Sequence, residues 1–229
     1  IVLSAGEKRS ATWNWTSELA IDREVHITVA EGETVTLMRA NGANGMALFN
    51  VGKSGHLILG DGSISTMDET GLQNGDYEVI PAKTGELIID GGAVWKRGTE
   101  YVPGKTSFTS ETIVFYGPDG VTHYQYTNDG VKAKASLITS SGTLDIWDGV
   151  TLQNNDKQAA YGSAICSENG STLQMYGGVV TMCATINNSD EGMGAVYVGP
   201  TSNIWWVEDY DFLADAATFN MYGGRIDNN

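Results

Sequence analysis

Residues 141–149 read SGTLDIWDG, and residues 170–178 read GSTLQMYGG. In each, two large apolar residues two positions apart (Leu144 and Ile146, Leu173 and Met175) alternate with polar ones before a glycine-bearing turn. Period-two alternation marks a strand with one buried face, and Asp-Gly or Gly-Gly marks a sharp turn. The same pattern fits SGHLILGDG at 54–62, TGELIIDGG at 84–92 and AATFNMYGG at 216–224. The first apolar positions, Leu57, Leu87, Leu144, Leu173 and Phe219, are spaced by 30, 57, 29 and 46 residues. The second gap reads as two periods, with a degenerate copy expected around Ile113-Val114-Phe115. The last reads as one period plus an insertion over 201–217.

A second strand recurs upstream of the copies, as Ala47–Val51, Ser136–Thr139, Ala164–Cys166 and Ala195–Val198. A third follows the turn, as Val150–Asn154, Val180–Met182 and Arg225–Asn228. A period holding about three short strands cannot bury its own apolar residues, so successive periods must stack strand on strand at ~4.8 Å. Leu57, Leu59, Leu144, Ile146, Leu173 and Met175 would then form inward ladders. Asp61-Gly62, Asp148-Gly149 and Gly177-Gly178 would turn one corner, and Asn154-Asn155 and Asn228-Asn229 a second. The expected fold is all-β: one parallel β-helix of about seven to nine coils. Residues 1–30 depart from the repeat and read as an irregular entry segment that caps an open end. Within it, Trp13 and Trp15 alternate around Asn14 and face one way. They read as a plug for the column end, with a sugar-stacking pair as the alternative.

The pattern G-x-L-x-I/M-x-G-G-x-I-x-x-N, followed by G-x-A-V/I-Y/C-V, resembles right-handed β-helix repeats of large surface proteins of Gram-positive gut bacteria. Those are related to polymorphic-membrane-protein repeats and to the pectate-lyase-like fold. The resemblance covers about residues 30–229 and is strongest over 141–229. It implies right-handed coiling, an extracellular cell-surface location and adhesin-like or host-interaction roles. Host glycoproteins such as mucins, glycans or immunoglobulins are the partners it suggests.

Composition narrows the classes further. With 28 acidic and 13 basic side chains the formal charge is −15, so a phosphate backbone is repelled and nucleic acid is not an expected partner. No apolar run approaches the ~18 residues of a membrane span. The expected state is a monomer. Cys166 and Cys183 lack zinc-site spacing and read as buried thiols in a repeat core, a disulfide being the alternative. Because the chain opens at Ile1 without a leader and closes on a strand motif, it reads as a domain excised from a larger protein.

No catalytic set is expected. Hydrolysis in this fold class needs clustered carboxylates, and the polygalacturonase-type signatures are missing. His26, His56 and His123 lie in unrelated segments, with His56 at an outward strand position. The insertion is the richest stretch: Ile204-Trp205-Trp206-Val207-Glu208-Asp209-Tyr210-Asp211-Phe212-Leu213-Ala214-Asp215. Solenoid insertions project as loops from one flank, where aromatic anchors beside acids suit a glycan or a protein hot spot. Trp205, Trp206, Tyr210 and Asp209 are therefore the expected ligand-binding residues, against the alternative that the loop packs on the flank. No cofactor is expected, although Asp209, Asp211 and Asp215 could hold calcium. Tyr124 and Tyr126, in the irregular stretch 96–134, alternate around Gln125 and read as packing residues. The functional expectation is a non-catalytic extracellular binding module. A polysaccharide lyase or hydrolase fragment and a passive spacer are the alternatives.

Overall fold

The computed structural model describes residues 1–66, 77–107, 111–159, 161–168, 170–185, 194–199 and 216–229. It is all-β, with 51% of residues in strands and no α-helix among those described. The chain visits three parallel sheets in rotation. The first round is β1 (Val2–Leu3), β2 (Ser10–Trp15) and β3 (Leu19–Ile21), and the second is β4 (Glu24–Val29), β5 (Thr34–Arg39) and β6 (Phe49–Val51). The third begins at β7 (His56–Leu59) and leaves for an antiparallel hairpin, β8 (Gly62–Thr66) and β9 (Tyr77–Pro81). It returns at β10 (Glu86–Asp90), then departs again into β11 (Trp95–Glu100), β12 (Ile113–Tyr116) and β13 (His123–Asn128). After β14 (Lys132–Ala133) it closes at β15 (Ile138–Ser140).

The fourth round is β16 (Thr143–Ile146), β17 (Val150–Gln153), β18 (Asp156–Lys157) and β19 (Ile165–Ser167). The fifth is β20 (Thr172–Met175), β21 (Val179–Thr181), β22 (Ala184–Thr185) and β23 (Val196–Val198). A sixth opens with β24 (Thr218–Met221) and β25 (Arg225–Asp227). The first sheet is β1-β4-β7-β16-β20-β24, the second β2-β5-β10-β17-β21-β25, and the third β23-β19-β15-β6-β3. A short parallel sheet, β14-β18-β22, lies on the path from the second to the third.

Register explains why these strands form. In the first sheet Val25, Leu57, Leu144, Leu173 and Phe219 are successive partners, as are Leu59, Ile146 and Met175 one step on. Leu37, Ile89, Leu152, Val180 and Ile226 do the same in the second sheet. Phe49, Ile138, Ile165 and Val196 do so in the third. All three rows meet in one hydrophobic core. Each fully buried side chain of this size contributes about 1.5–3 kcal/mol, so the ladders dominate the fold's stability. The turns into the second sheet rest on Gly149 and Gly178, at φ +79° and +76°. A side chain there is strained, and at Gly178 it would also meet the Val150 carbonyl at 2.8 Å.

Several expectations need correction. The 84–92 copy is not equivalent to 54–62, because β10 pairs with β5 and β17 in the second sheet whereas β7 belongs to the first. β7 and β10 share one inward-outward alternation, so the β8–β9 detour imitates a period. Ile113-Val114-Phe115 is no degenerate coil but part of an antiparallel sheet, β11-β13-β12, inserted between the second and third sheets. These two excursions consume length assigned to extra coils, and the described residues make five rounds and part of a sixth. Residues 1–30 are also more regular than expected: β1, β2 and β3 pair in parallel with β4, β5 and β6.

Candidate functional site: the outer face of the first sheet

Alternation that sends Leu57, Leu144 and Leu173 inward sends their neighbours outward in rows. Glu24, His56, Thr143, Thr172 and Thr218 are successive partners in one row. The adjacent row is His26, Ile58, Asp145, Gln174 and Asn220. Past the strand ends, Trp147 stacks on Tyr176 at 4.2 Å and Tyr176 on Tyr222 at 5.0 Å between ring centroids. The hairpin crosses above this stack, where a side chain at Gly62 would strike the Trp147 ring.

A hydrogen-bonded chain crosses this face. His56 Nε2 lies 2.8 Å from Asp145 Oδ2, and Gln174 Nε2 donates to Asp145 Oδ1 at 3.0 Å. Glu24 Oε2 stands 3.6 Å from the other nitrogen of His56, the Glu24 side chain being largely exposed. His26 Nε2 contacts the Gly60 carbonyl at 2.6 Å, with Asp61 at 3.9 Å. Asp145 is only 7% exposed, so its carboxylate depends on these partners. Burial first, then Asp145 and Tyr222, pushes the Tyr176 hydroxyl up to about 12, and it stays protonated in the neutral range.

The arrangement presents hydrogen-bonding groups held in place by one another on one sheet face. Both Asp145 oxygens are engaged, and the His56 ring fills the space between Asp145 and Glu24. Acid–base glycoside hydrolysis instead needs two carboxylates flanking the scissile bond, with room for water or a covalent step. Among the described residues, one groove lies beside Asn14 and Asn41 and another beside Phe219 and Ile226.

The expected ligand residues Trp205, Trp206, Asp209 and Tyr210 lie outside the described residues, as do Asp211 and Asp215 of the calcium expectation. Among the described residues no group of three or more His, Cys, Asp or Glu side chains is placed to hold a metal. Two of the histidines read as unrelated share this one face, since Glu24 pairs with His56 and His26 with Ile58. His123 sits apart on β13, against Tyr116 at 4.1 Å. Tyr126 is buried with Phe115 and Ala184, and Tyr124 packs at the edge of that small core. Trp15 packs on the main core near Phe49, while Trp13 on the same side of β2 is 37% exposed.

A second polar cluster, in the interior, escaped the sequence reading. Arg39 is 1% exposed and donates to Asn155 Oδ1 and to the carbonyls of Met46, Ala135 and Ser136. Lys157 donates to Ser136 Oγ and to the carbonyls of Tyr161 and Gly162. Cys183 is a fully buried thiol, pushed up to about 12 by burial, and Cys166 is pushed up to about 11 for the same reason. No helix among the described residues is long and apolar enough to cross a membrane. Comparison with protein-family models, with curated proteins and with solved structures returned no match.

Proposed function

We propose that this chain is a non-catalytic extracellular binding module built on a right-handed parallel β-helix. Three sheets visited in rotation around one core support closure into a helical column. Parallel crossovers are overwhelmingly right-handed, which supports that hand. The observation that carries the function is the Glu24–His56–Asp145–Gln174 chain, a polar sheet face whose groups are oriented by one another. Preorganised groups on a rigid sheet bind at low entropic cost. The partner is a host glycoprotein, glycan or immunoglobulin, presenting a neutral or basic patch to this acidic protein.

The test is binding to an array of host glycoproteins, glycans and immunoglobulins by three folded proteins: wild type, His56→Ala/Asp145→Ala, and Trp205→Ala/Trp206→Ala. A hit lost only in the first variant assigns contact to the sheet face. One lost only in the second assigns it to the 201–217 segment. Silence of the wild type across the array returns the chain to a spacer. Release of reducing ends from pectin-like polymers would make it an enzyme.

A further inference from the structure

A groove of about 460 Å³ lies where the inserted β11-β13-β12 sheet joins the second parallel sheet. Asn14, Met38, Asn41, Val94, Asp129 and Val131 line it. Asn14, on β2, is the register partner of Met38 on β5, and Asn41 sits in the turn that follows β5. The far wall is the root of the insertion. There Asp129 N donates to the Val94 carbonyl at 3.0 Å, and Val131 N to the Gly92 carbonyl at 2.8 Å. These bonds fix Val94 in place although it is 58% exposed. Val94 therefore adds a fixed apolar surface to the groove wall.

The lining selects a ligand class. A carboxamide donates and accepts at once, as a sugar hydroxyl does, so Asn14 and Asn41 match hydroxyl pairs. Met38, Val94 and Val131 offer apolar surface to the C–H face of a pyranose ring. Asp129 is ion-paired to Lys96, and Arg39, also in the lining, is 1% exposed with its guanidinium bonded to Asn155 and the Ser136 carbonyl. The groove therefore presents little net charge, and a protein of charge −15 repels anions. Its volume falls in the ~300–1,000 Å³ span of small-ligand sites and is the size of one or two sugar rings. We propose that this groove binds a neutral hexopyranoside unit, free or at the end of a glycan chain. The inference is independent of the outer face of the first sheet.

The test is saturation-transfer NMR on the whole 229-residue chain. The probes are the methyl glycosides of glucose, galactose, mannose and N-acetylglucosamine, each at about 10 mM, where a weak sugar site is still occupied. Galacturonate serves as an anionic counter-probe, and released neutral N-glycans as the chain-terminus arm. Transfer to at least one neutral glycoside is expected, reduced at least tenfold in Asn14→Ala/Asn41→Ala and kept in His56→Ala. Val94→Arg, at an exposed position that tolerates the change, blocks the mouth and abolishes transfer, with circular dichroism confirming the fold. Retention of the methyl-glycoside signal alone identifies a free-sugar site, and a stronger signal with N-glycans a chain-terminus site. Absence of transfer from every neutral probe overturns the proposal. So does equal transfer to galacturonate, or transfer unchanged in the double variant.

Discussion

Two polar clusters punctuate this apolar-cored protein, and they solve opposite problems. On the outer face of the first sheet, His56 is placed between Glu24 and Asp145, so ionisable groups of opposite character meet near water. Inside, Arg39 and Lys157 are held by main-chain carbonyls, Asn155 and Ser136. Burial lowers Arg39 to about 10, against the nearby Cys183, and lowers Lys157 as well. The interior cations tie round to round where the inserted sheet interrupts the chain path, since the Arg39 guanidinium reaches carbonyls up to 97 residues away. Removing an interior donor leaves buried carbonyls stranded, whereas removing an outer-face group lets solvent replace it.

The largest effect should follow Arg39→Met. Stranding Asn155 Oδ1 and the Met46 and Ser136 carbonyls, while Ala135 keeps Asn155 Nδ2, is expected to cost about 3–5 kcal/mol, read as a fall in the urea midpoint. A cost below that of Asp145→Ala would break the contrast between the clusters. Lys157→Met should come next, at about 1–3 kcal/mol. Its pH signature is specific. The folded-state value lies below the ordinary 10.5, so the unfolded chain binds more protons between the two, and stability rises with pH across that window. The variant should lose that rise.

The thiols have the opposite sign. Cys166 and Cys183 are raised from 9.0 to about 11 and about 12, so their contribution is fully present below pH 9. It is lost as pH climbs toward 11–12. The stability of Cys166→Ala/Cys183→Ala relative to wild type should therefore improve steadily above pH 9, in denaturation curves collected across that range. On the outer face, Asp145→Asn is expected to cost about 1 kcal/mol, because Gln174 keeps an acceptor while the charged bond to His56 is lost. Glu24→Gln should fall within about 0.5 kcal/mol, since its side chain is 72% exposed. A Glu24 effect larger than that of Asp145 would show that the face is organised from its exposed end.

Where rounds follow one another without detour, the linear pattern was readable. SGTLDIWDG and GSTLQMYGG became β16 and β20, in register, and their upstream and downstream partners became the third and second sheets. It misled where an excursion intervened, at 84–92 and 113–115, because each strand's alternation is the same whichever sheet receives it. The outer-face chain was harder still. His56 and Asp145 are 89 residues apart, and neither is unusual in its own segment. One signal was available: the residue after each first inward apolar position reads Ile58, Asp145, Gln174 and Asn220, an outward row with one carboxylate. The groove at the insertion root had no such trace, since Asn14, Asn41 and Asp129 belong to three separate turns or strands.

The linear order of residues therefore settled which side chains face inward, because period-two alternation and glycine turns are local properties of the chain. Which rows stack, where the two excursions leave and return, and which polar groups meet across them were decided only by the folded structure. Contacts between distant rounds depend on the sum of every intervening length, and the detours change that sum without changing any local pattern.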